Sequence, residues 1–319
     1  MDIAFQSTVL DIDTMLRVEG REFIKVVTGP VAKNMINAFF FQLGKINAGA
    51  SRPKHVEKNP TRKLGVLGAG MMGQGVAYVA AKAGIQVVLK DMTLEAAEKG
   101  KAYSENLVNK AVKRGKIFQS QADALLELIL PTAQDSDLAG CDLIIEAVFE
   151  NIELKNKIIG NTEQYLAEDG FWGSNTSTLP ITELAKAAGK PENFVGIHFF
   201  SPVDKMPLVE IIVGDKTSDE ALTKAFDFTQ QIRKTPIVVN DSLGFFTSRT
   251  FGTYLDEGLQ LLTEGVHPVK IDTLGKAIGM PVGPLQVGDE TSLELTRKAG
   301  ETWASMGVGD MWSDGAVCR

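Results

Sequence analysis

The sequence predicts an α/β protein in which a doubly wound, mostly parallel sheet is followed by a smaller, all-helical domain. From Thr61 onward, short and nearly continuous apolar segments alternate with segments of helical spacing. That alternation is typical of parallel strands covered by helices on both faces. The strand pattern stops near residue 240, and each later segment has the apolar spacing of a helix. We expect this helical domain to be truncated.

The first 60 residues differ in pattern from the remainder of the chain. The segment from Asp13 to Ala48 has helical spacing that is interrupted at TGP, and GASRPKHVEKNP is rich in turn-forming and charged residues. Residues 1–60 are therefore predicted to be a helical linker segment, too small to have a core of its own.

Residues 61–239 carry the predicted strands and the helices between them. The strand segments are KLGVLG, IQVVLKD, CDLIIEAV, GFWGSNTS, NFVGIHFF, LVEIIVG and TPIVVND. The helical segments are MMGQGVAYVAAKAG, LEAAEKGKAYSENLVNKAVKRGKI and NIELKNKIIGNTEQYLAE. Residues 240–319 are predicted to form the partial helical domain, with helices at GFFTSRTFGTYLDEGLQLLTEG, PVKIDTLGKAIG and SLELTRKAGETWASMG.

Composition narrows the classes of function. A net charge of −7 argues against a nucleic-acid groove as the main function. Two cysteines, Cys141 and Cys318, and three histidines argue against a disulfide framework and against a zinc site, so no metal is expected. The N-terminus lacks a basic and apolar leader, and the longest greasy stretch, MINAFFFQL, is too short to span a bilayer. Membrane association is therefore not expected.

A glycine-rich loop follows the first predicted strand. Gly68, Gly70 and Gly73 have G-x-G-x-x-G spacing between that strand and a helix, and Asp91 ends the next strand 18 residues later. In a Rossmann-type fold these glycines allow a tight turn, close approach of a pyrophosphate and close helix packing. Asp91 can accept hydrogen bonds from ribose hydroxyls, which favours NAD over NADP. FAD remains an alternative, as does a purely structural turn.

A histidine and a glutamate interrupt two late apolar strands. His198 ends NFVGIHFF, and Glu210 lies twelve residues later in LVEIIVG. Ligands bind at the carboxyl ends of strands in such sheets, so His198 is a candidate general base there. Glu210 is the candidate carboxylate that fixes its tautomer. The alternative is a core histidine paired with a buried acid for structure.

Two further residues have ambiguous roles from sequence alone. Ser177, in GSNTSTLPI, is placed to hydrogen-bond a reacting oxygen or to cap a helix. Glu150 follows the strand CDLIIEAV and suits either a site residue or an acid at a helix start.

Four motifs resemble the L-3-hydroxyacyl-CoA dehydrogenases, and the first 60 residues resemble the multifunctional α-subunits of fatty-acid β-oxidation. The motifs are GVLGAGMMGQGVAY, DLIIEAVFENIELK, SNTSTLPI and GIHFFSPVDKMPLVEII, and the resemblance covers about residues 10–300. It implies NAD-dependent oxidation of L-3-hydroxyacyl-CoA to 3-ketoacyl-CoA, with His198 as base, Glu210 as its partner and Ser177 between substrate and nicotinamide. The remaining residues implied at the NAD site are Met72, Asp91, Val148, Phe149, Glu150, Lys155 and Ser201.

The sequence departs from the family pattern at three positions. Ser248 replaces an Asn that contacts substrate in many members, Leu243 stands where a Pro is usual, and Ser201 replaces an Asn of some members. The resemblance also implies a preceding hydratase domain and a second helical half, so we expect the 319 residues to be a fragment. Candidate contacts for the phosphates of coenzyme A are Lys110, Lys113, Arg114 and Lys116, although such a run is commonly a solvated face.

The resemblance also implies partners and a cellular setting. An acyl-CoA is the expected substrate and a thiolase β-subunit the expected partner in the full-length complex. A homo-oligomer is a further candidate assembly. Bacterial cytoplasm and the mitochondrial or peroxisomal matrix all suit β-oxidation. Two alternative hypotheses are a nucleotide-binding fragment with impaired catalysis and a dehydrogenase of free hydroxy acids.

Overall fold

In the computed structural model, which describes residues 2–291, the chain divides into one unit ending at Arg52 and another beginning at Pro53. Cys318 and the helix predicted over 292–307 lie outside the described residues. The sheet and the helices that follow residue 240 belong to the same unit. The finer division at residues 60 and 240 stays a prediction.

The first unit is helical. Its elements are α1 (Asp2–Gln6), α2 (Ile12–Thr28), α3 (Pro30–Met35), a π-helical stretch (Ile36–Gln42) and α4 (Leu43–Asn47). Asp11 caps α2 by accepting a hydrogen bond from the backbone N–H of Thr14 at 3.0 Å. Gly29 ends α2 and Pro30 begins α3, so the break predicted at TGP is confirmed.

Eight strands form one sheet in the described part of the second unit. They are β1 (Lys63–Leu67), β2 (Gln86–Lys90), β3 (Ile129–Thr132), β4 (Cys141–Glu146), β5 (Leu166–Ser174), β6 (Phe194–Phe199), β7 (Leu208–Val213) and β8 (Thr235–Asn240). Their order is β3-β2-β1-β4-β5-β6-β7-β8, and each neighbouring pair is parallel except β6 and β7. The predicted doubly wound, mostly parallel sheet is therefore confirmed, with its order reversing between β1 and β4.

Helices cover the sheet and continue beyond it. They are α5 (Met71–Lys82), α6 (Leu94–Lys113), α7 (Gln119–Glu127), α8 (Ile152–Thr162), α9 (Ile181–Ala185), α10 (Asp219–Gln231), α11 (Thr247–Thr263), α12 (Pro268–Ala277) and α13 (Pro284–Thr291). Successive residues of β4 belong to different hydrophobic clusters: Leu143 and Ile145 pack with α5 and α10, whereas Ile144 packs with α8 and α9. Since side chains of a strand alternate between faces, the sheet has a core on both sides.

Four elements of the second unit were not predicted from the sequence. The pattern gave no strand at Ile129–Thr132 and no helix at α7, α10 or α13. Pro131 lowers the strand signal because it has no backbone N–H to donate. It is tolerated because β3 is the edge strand of the sheet, paired only with β2.

Candidate active site

The glycine loop joins the carboxyl end of β1 to α5. Gly68 has φ +95°, and a Cβ on Gly73 would lie 1.8 Å from the carbonyl oxygen of Gly68, so both positions require glycine. Gly70 precedes α5, and a Cβ there would meet no protein atom within 4 Å. The loop therefore leaves open space in front of the free N–H groups of a helix N-terminus, which suits a pyrophosphate. Met72 packs its side chain against the core, so its backbone is the part available to a ligand.

Asp91 lies beside this loop, directly after β2. Its Oδ2 accepts a hydrogen bond from the backbone N–H of Ala69 at 2.7 Å, and its Oδ1 accepts one from Met92 at 2.7 Å. The neighbouring Lys90 is paired with Asp135 at 3.0 Å. The carboxylate thus ties the end of β2 to the glycine loop while remaining half-buried. Its contact with a ribose stays a prediction.

A buried ion pair follows β4. Lys155 Nζ donates to both carboxylate oxygens of Glu146 at 2.8 Å and lies 3.2 Å from Glu150 Oε2. Glu146 also accepts a hydrogen bond from the hydroxyl of Ser174, its register partner on β5. Burial lowers the pKa of Lys155, but the two carboxylates outweigh that effect and raise it above its usual range. The ammonium is held by these two carboxylates, and a contact between Lys155 and NAD stays a prediction.

Glu150 holds the turn that follows β5. Its Oε1 accepts hydrogen bonds from the backbone N–H groups of Ser177 at 2.9 Å and Thr178 at 3.0 Å, and from the hydroxyls of Thr176 and Thr178. Burial opposes ionisation, but Lys155 and these hydroxyls hold the pKa of Glu150 below its usual range. This carboxylate therefore fixes the backbone of Ser177. Neither of the two roles considered for Glu150, site residue or helix-start acid, included this contact with the turn at residues 176–178.

Ser177 and His198 belong to neighbouring strand ends that are tied together. Asn175 Oδ1 accepts a hydrogen bond from the backbone N–H of Phe199 at 2.9 Å. Ser177 is half-buried, as are Ser248 and Val148, whereas Ser201 and Phe149 are exposed. Most of the predicted site residues lie at the carboxyl ends of β1, β2, β4, β5 and β6 or at the start of α5 and α11, whereas Glu210 lies within β7 and Lys155 within α8.

His198 and Glu210 face each other across the antiparallel pair β6–β7. They are register partners, and His198 Nδ1 lies 2.9 Å from Glu210 Oε2. The imidazole is nearly buried beside the rings of Phe200 and Phe245, at centroid distances of 4.6 and 6.0 Å. Glu210 is fully buried, yet hydrogen bonds from His198 and Thr247 overcome the effect of burial and hold its pKa below the usual range. An ionised carboxylate on Nδ1 fixes the tautomer that presents Nε2 to a ligand.

The start of α11 completes the contacts of Glu210. Its Oε1 accepts hydrogen bonds from the backbone N–H groups of Phe246 at 2.9 Å and Thr247 at 3.0 Å. The hydroxyl of Thr247 donates to Oε2 at 2.6 Å. Ser248, a predicted substrate contact, is the next residue of this helix.

Sequence reasoning missed four residues of this arrangement, namely Glu146, Ser174, Asn175 and Thr247. A signal existed for two of them, because a buried acid and a serine at the ends of adjacent apolar strands are expected to pair across the sheet. Thr247 offered no such signal, since the contact joins residues 37 positions apart in sequence.

Other parts of the structure contribute less. A pocket of about 450 Å³ lies between β8 and the start of α11 and contains none of the predicted catalytic residues; it is lined by Val238, Val239, Asn240, Ser242, Phe245, Phe246, Arg249 and Thr250. Over residues 2–291 we find no group of three or more metal-binding side chains. None of the helices in that range has the length and apolarity needed to cross a bilayer.

Comparison with known proteins gives consistent matches. The family model for the 3-hydroxyacyl-CoA dehydrogenase NAD binding domain matches residues 63–242, and the model for the C-terminal domain matches residues 244–314. The fatty acid oxidation complex subunit alpha of Shewanella amazonensis is 37% identical over 290 residues, which are 89% of this chain and 40% of that protein. The chain therefore spans less than half the length of this curated relative.

Solved structures with the same fold include two bacterial dehydrogenases. The (S)-3-hydroxybutyryl-CoA dehydrogenase of Ralstonia eutropha superposes with a TM-score of 0.74 at 33% identity, over 77% of this chain and 88% of the other. The 3-hydroxybutyryl-CoA dehydrogenase of Escherichia coli gives a TM-score of 0.73 at 30% identity, over 77% of this chain and 53% of the other.

Proposed function

Because the chain belongs to the 3-hydroxyacyl-CoA dehydrogenase family, we propose that it oxidises an L-3-hydroxyacyl-CoA to the 3-ketoacyl-CoA, with NAD as the hydride acceptor. The observation that carries the proposal is the His198–Glu210 pair, with Nδ1 and Oε2 2.9 Å apart at the carboxyl end of the sheet. A buried imidazole held by an ionised carboxylate is the arrangement that general-base removal of a hydroxyl proton requires.

The residues present fit the cofactor. Gly70 leaves space before the N-terminus of α5, and Asp91 lies beside the loop as an acceptor for ribose hydroxyls. A carboxylate at that position would repel a 2′-phosphate, which supports NAD over NADP. When bound, NAD supplies the site that accepts a hydride from the substrate carbon.

The protein groups then have distinct tasks. His198 takes the hydroxyl proton of the substrate at Nε2, and Glu210 stabilises the imidazolium that results. Ser177, whose backbone is held by Glu150, donates a hydrogen bond to the reacting oxygen. Ser248 contacts the substrate from the start of α11. The products are the ketone, reduced NAD and one proton.

The test measures NADH oxidation with acetoacetyl-CoA. Replacing His198 with glutamine should lower turnover by at least ~100-fold while NADH binding is retained. Replacing His267, which is exposed, with glutamine is the matched control and should leave turnover unchanged. Wild-type protein that binds NADH without turnover would favour the impaired fragment. Turnover of acetoacetate and not of its thioester would favour a dehydrogenase of free acids.

A basic segment at the end of α6 supports the coenzyme A part of the substrate. Its four cations are all exposed: Lys110, Lys113, Arg114 and Lys116. The 20-residue α6 rises about 30 Å from its start near Asp91. These cations are therefore suited to the distal, phosphorylated end of an extended thioester rather than to the reacting carbon.

This assignment can be tested with two substrates. Reversing Lys113 and Arg114 to glutamate should raise KM for acetoacetyl-CoA and leave KM for acetoacetyl-pantetheine, which lacks the nucleotide phosphates, unchanged. Replacing Lys101 and Lys99 of the same helix with glutamate is the control for a general charge effect. Equal KM values for acetoacetyl-CoA in wild type and the Lys113/Arg114 variant would contradict the assignment.

The longer relative suggests an assembly. We infer that the chain acts within a multifunctional complex whose partner is a thiolase β-subunit, in the cytoplasm if the source is bacterial or in an organelle matrix otherwise. The similarity to a complex subunit alpha supports this inference. Co-elution of the chain with a thiolase subunit in size-exclusion chromatography tests it, and separate elution at micromolar concentrations would oppose it.

A further inference from the structure

Glu210 is held by more than the imidazole. Its two carboxylate oxygens face four donors: the N–H groups of Phe246 and Thr247 at Oε1, and the hydroxyl of Thr247 together with His198 at Oε2. An ionised carboxylate has about four lone-pair sites. The four donors therefore account for its hydrogen-bonding capacity in a position that water does not reach.

The same contacts make Glu210 the cap of α11. Helix α11 begins at Thr247, and Phe246 before it has no side-chain cap of its own. The first N–H groups of a helix need acceptors from outside the helix, and a negative charge is favourable there. A carboxylate from β7 supplies both. Rotation of that carboxylate would break the helix cap and the contact with His198 together.

Thr247 contributes at both oxygens. Its N–H lies 3.0 Å from Oε1 and its hydroxyl lies 2.6 Å from Oε2, so a single residue brackets the carboxylate. The hydroxyl bond is the shortest of the contacts to Glu210, and a hydrogen bond to a charged acceptor is stronger than a neutral one. It restrains the rotation that would turn Oε2 away from His198 Nδ1.

We propose that Thr247 is a positioning residue for the general base: through Glu210 it keeps Oε2 aimed at Nδ1, so that the imidazole presents Nε2 to the substrate. This proposal rests on the proposed dehydrogenase function. The hydroxyl and N–H of Thr247 are bonded to Glu210, so the effect of Thr247 on the imidazole passes through that carboxylate.

Three variants separate the hydroxyl from the rest of the side chain. Thr247→Val keeps the shape and the backbone N–H but removes the hydroxyl, and Thr247→Ser keeps the hydroxyl but removes a methyl group. Thr250→Val is the matched control, because Thr250 lies one turn along α11 and its hydroxyl donates to the backbone carbonyl of Phe246 at 2.8 Å. Urea unfolding of each variant identifies any that fails to fold.

The kinetic result expected is a loss confined to the chemical step. Thr247→Val should lower kcat about tenfold with KM values for thioester and NADH nearly unchanged. Thr247→Ser should restore most of kcat, and Thr250→Val should match wild type. In a Glu210→Gln background the valine substitution should have little further effect, because the two residues act as one unit. Three outcomes would each overturn the proposal. They are an unchanged kcat in Thr247→Val, a tenfold loss that Thr247→Ser does not restore, and an equal further loss when Thr247→Val is added to Glu210→Gln.

A second readout does not depend on turnover. In protein with ¹⁵N-labelled histidine, the Nδ1–H resonance of His198 is assigned as the signal that is lost in His198→Gln. This resonance should shift in Thr247→Val and not in Thr250→Val. Wild type that lacks turnover while the resonance shifts as expected would refute the proposed reaction and retain the positioning contact. A resonance that is unchanged in the folded valine variant would refute the contact whatever the turnover.

Discussion

Replacing Lys155 with methionine is expected to cost about 3–5 kcal/mol of the free energy of unfolding. The side chains of Lys155 and Glu146 are 1% and 0% exposed, and both carboxylate oxygens of Glu146 accept hydrogen bonds from Lys155 Nζ at 2.8 Å. Methionine fills a similar volume without a charge. Glu146 would then be an uncompensated charge in the core, left only with the hydroxyl of Ser174 and a 3.2 Å contact to the N–H of Val148.

The magnitude depends on that stranded charge and not on the lost pair itself. A second variant, Glu146→Gln with Lys155→Met, removes both charges and should recover most of the loss, because neutral replacement of a buried ion pair is commonly close to neutral. Lys157→Met is the matched control, since Lys157 is exposed on the same helix, and it should change stability by less than about 0.5 kcal/mol.

Urea unfolding followed by far-UV circular dichroism measures these differences. A single Lys155→Met variant within about 1 kcal/mol of wild type would refute the reasoning, since a buried unpaired carboxylate costs more than that. A double variant that is as unstable as the single one would also refute it, because the cost would then come from packing.

Three further outcomes are expected. Gly73→Ala should destabilise the protein and abolish NADH binding, because its Cβ would lie 1.8 Å from a backbone oxygen. Gly70→Ala should fold normally and bind NADH more weakly. A Gly73→Ala variant that binds NADH as tightly as wild type in a titration would contradict this expectation. Asp91→Ala should raise the Kd for NADH about tenfold and reduce the ratio by which the protein binds NADH more tightly than NADPH, as measured by fluorescence titration. Burial raises the pKa of the Cys141 thiol to about 12, so with the other cysteine replaced by serine the folded protein should not react with a thiol reagent at pH 8 until urea is added; rapid native reaction would count against it.

The sequence was most informative where one residue type interrupted a clear pattern. His198 and Glu210 stand out because a polar group in an apolar strand needs a partner, and strand adjacency places the two side by side. The glycine loop and the parallel sheet were likewise predictable from local spacing.

Contacts between distant segments were not predictable in the same way. The family resemblance implies Lys155 at the NAD site, which stays a prediction, but nothing in the sequence indicated that its ammonium lies between two carboxylates. Thr247 carries no periodic signal, and its contact with Glu210 exists only because α11 begins against β7. The strand β3 was missed because a proline such as Pro131 argues against a central strand, and the sequence does not say which strand is the edge.

The antiparallel pairing of β7 with β6 limits the insertions and deletions that this protein can tolerate between the two strands. Side chains alternate faces along a strand, so moving β7 past β6 by a single residue would send Glu210 to the opposite face and bring Val209 or Ile211 beside the imidazole. The connection over residues 200–207 can therefore gain or lose residues only if the register between β6 and β7 is preserved. Insertions that bulge outward should be harmless, whereas a slip of one position should remove the contact between Glu210 and the imidazole and also destabilise the protein, because the carboxylate would lose its partners.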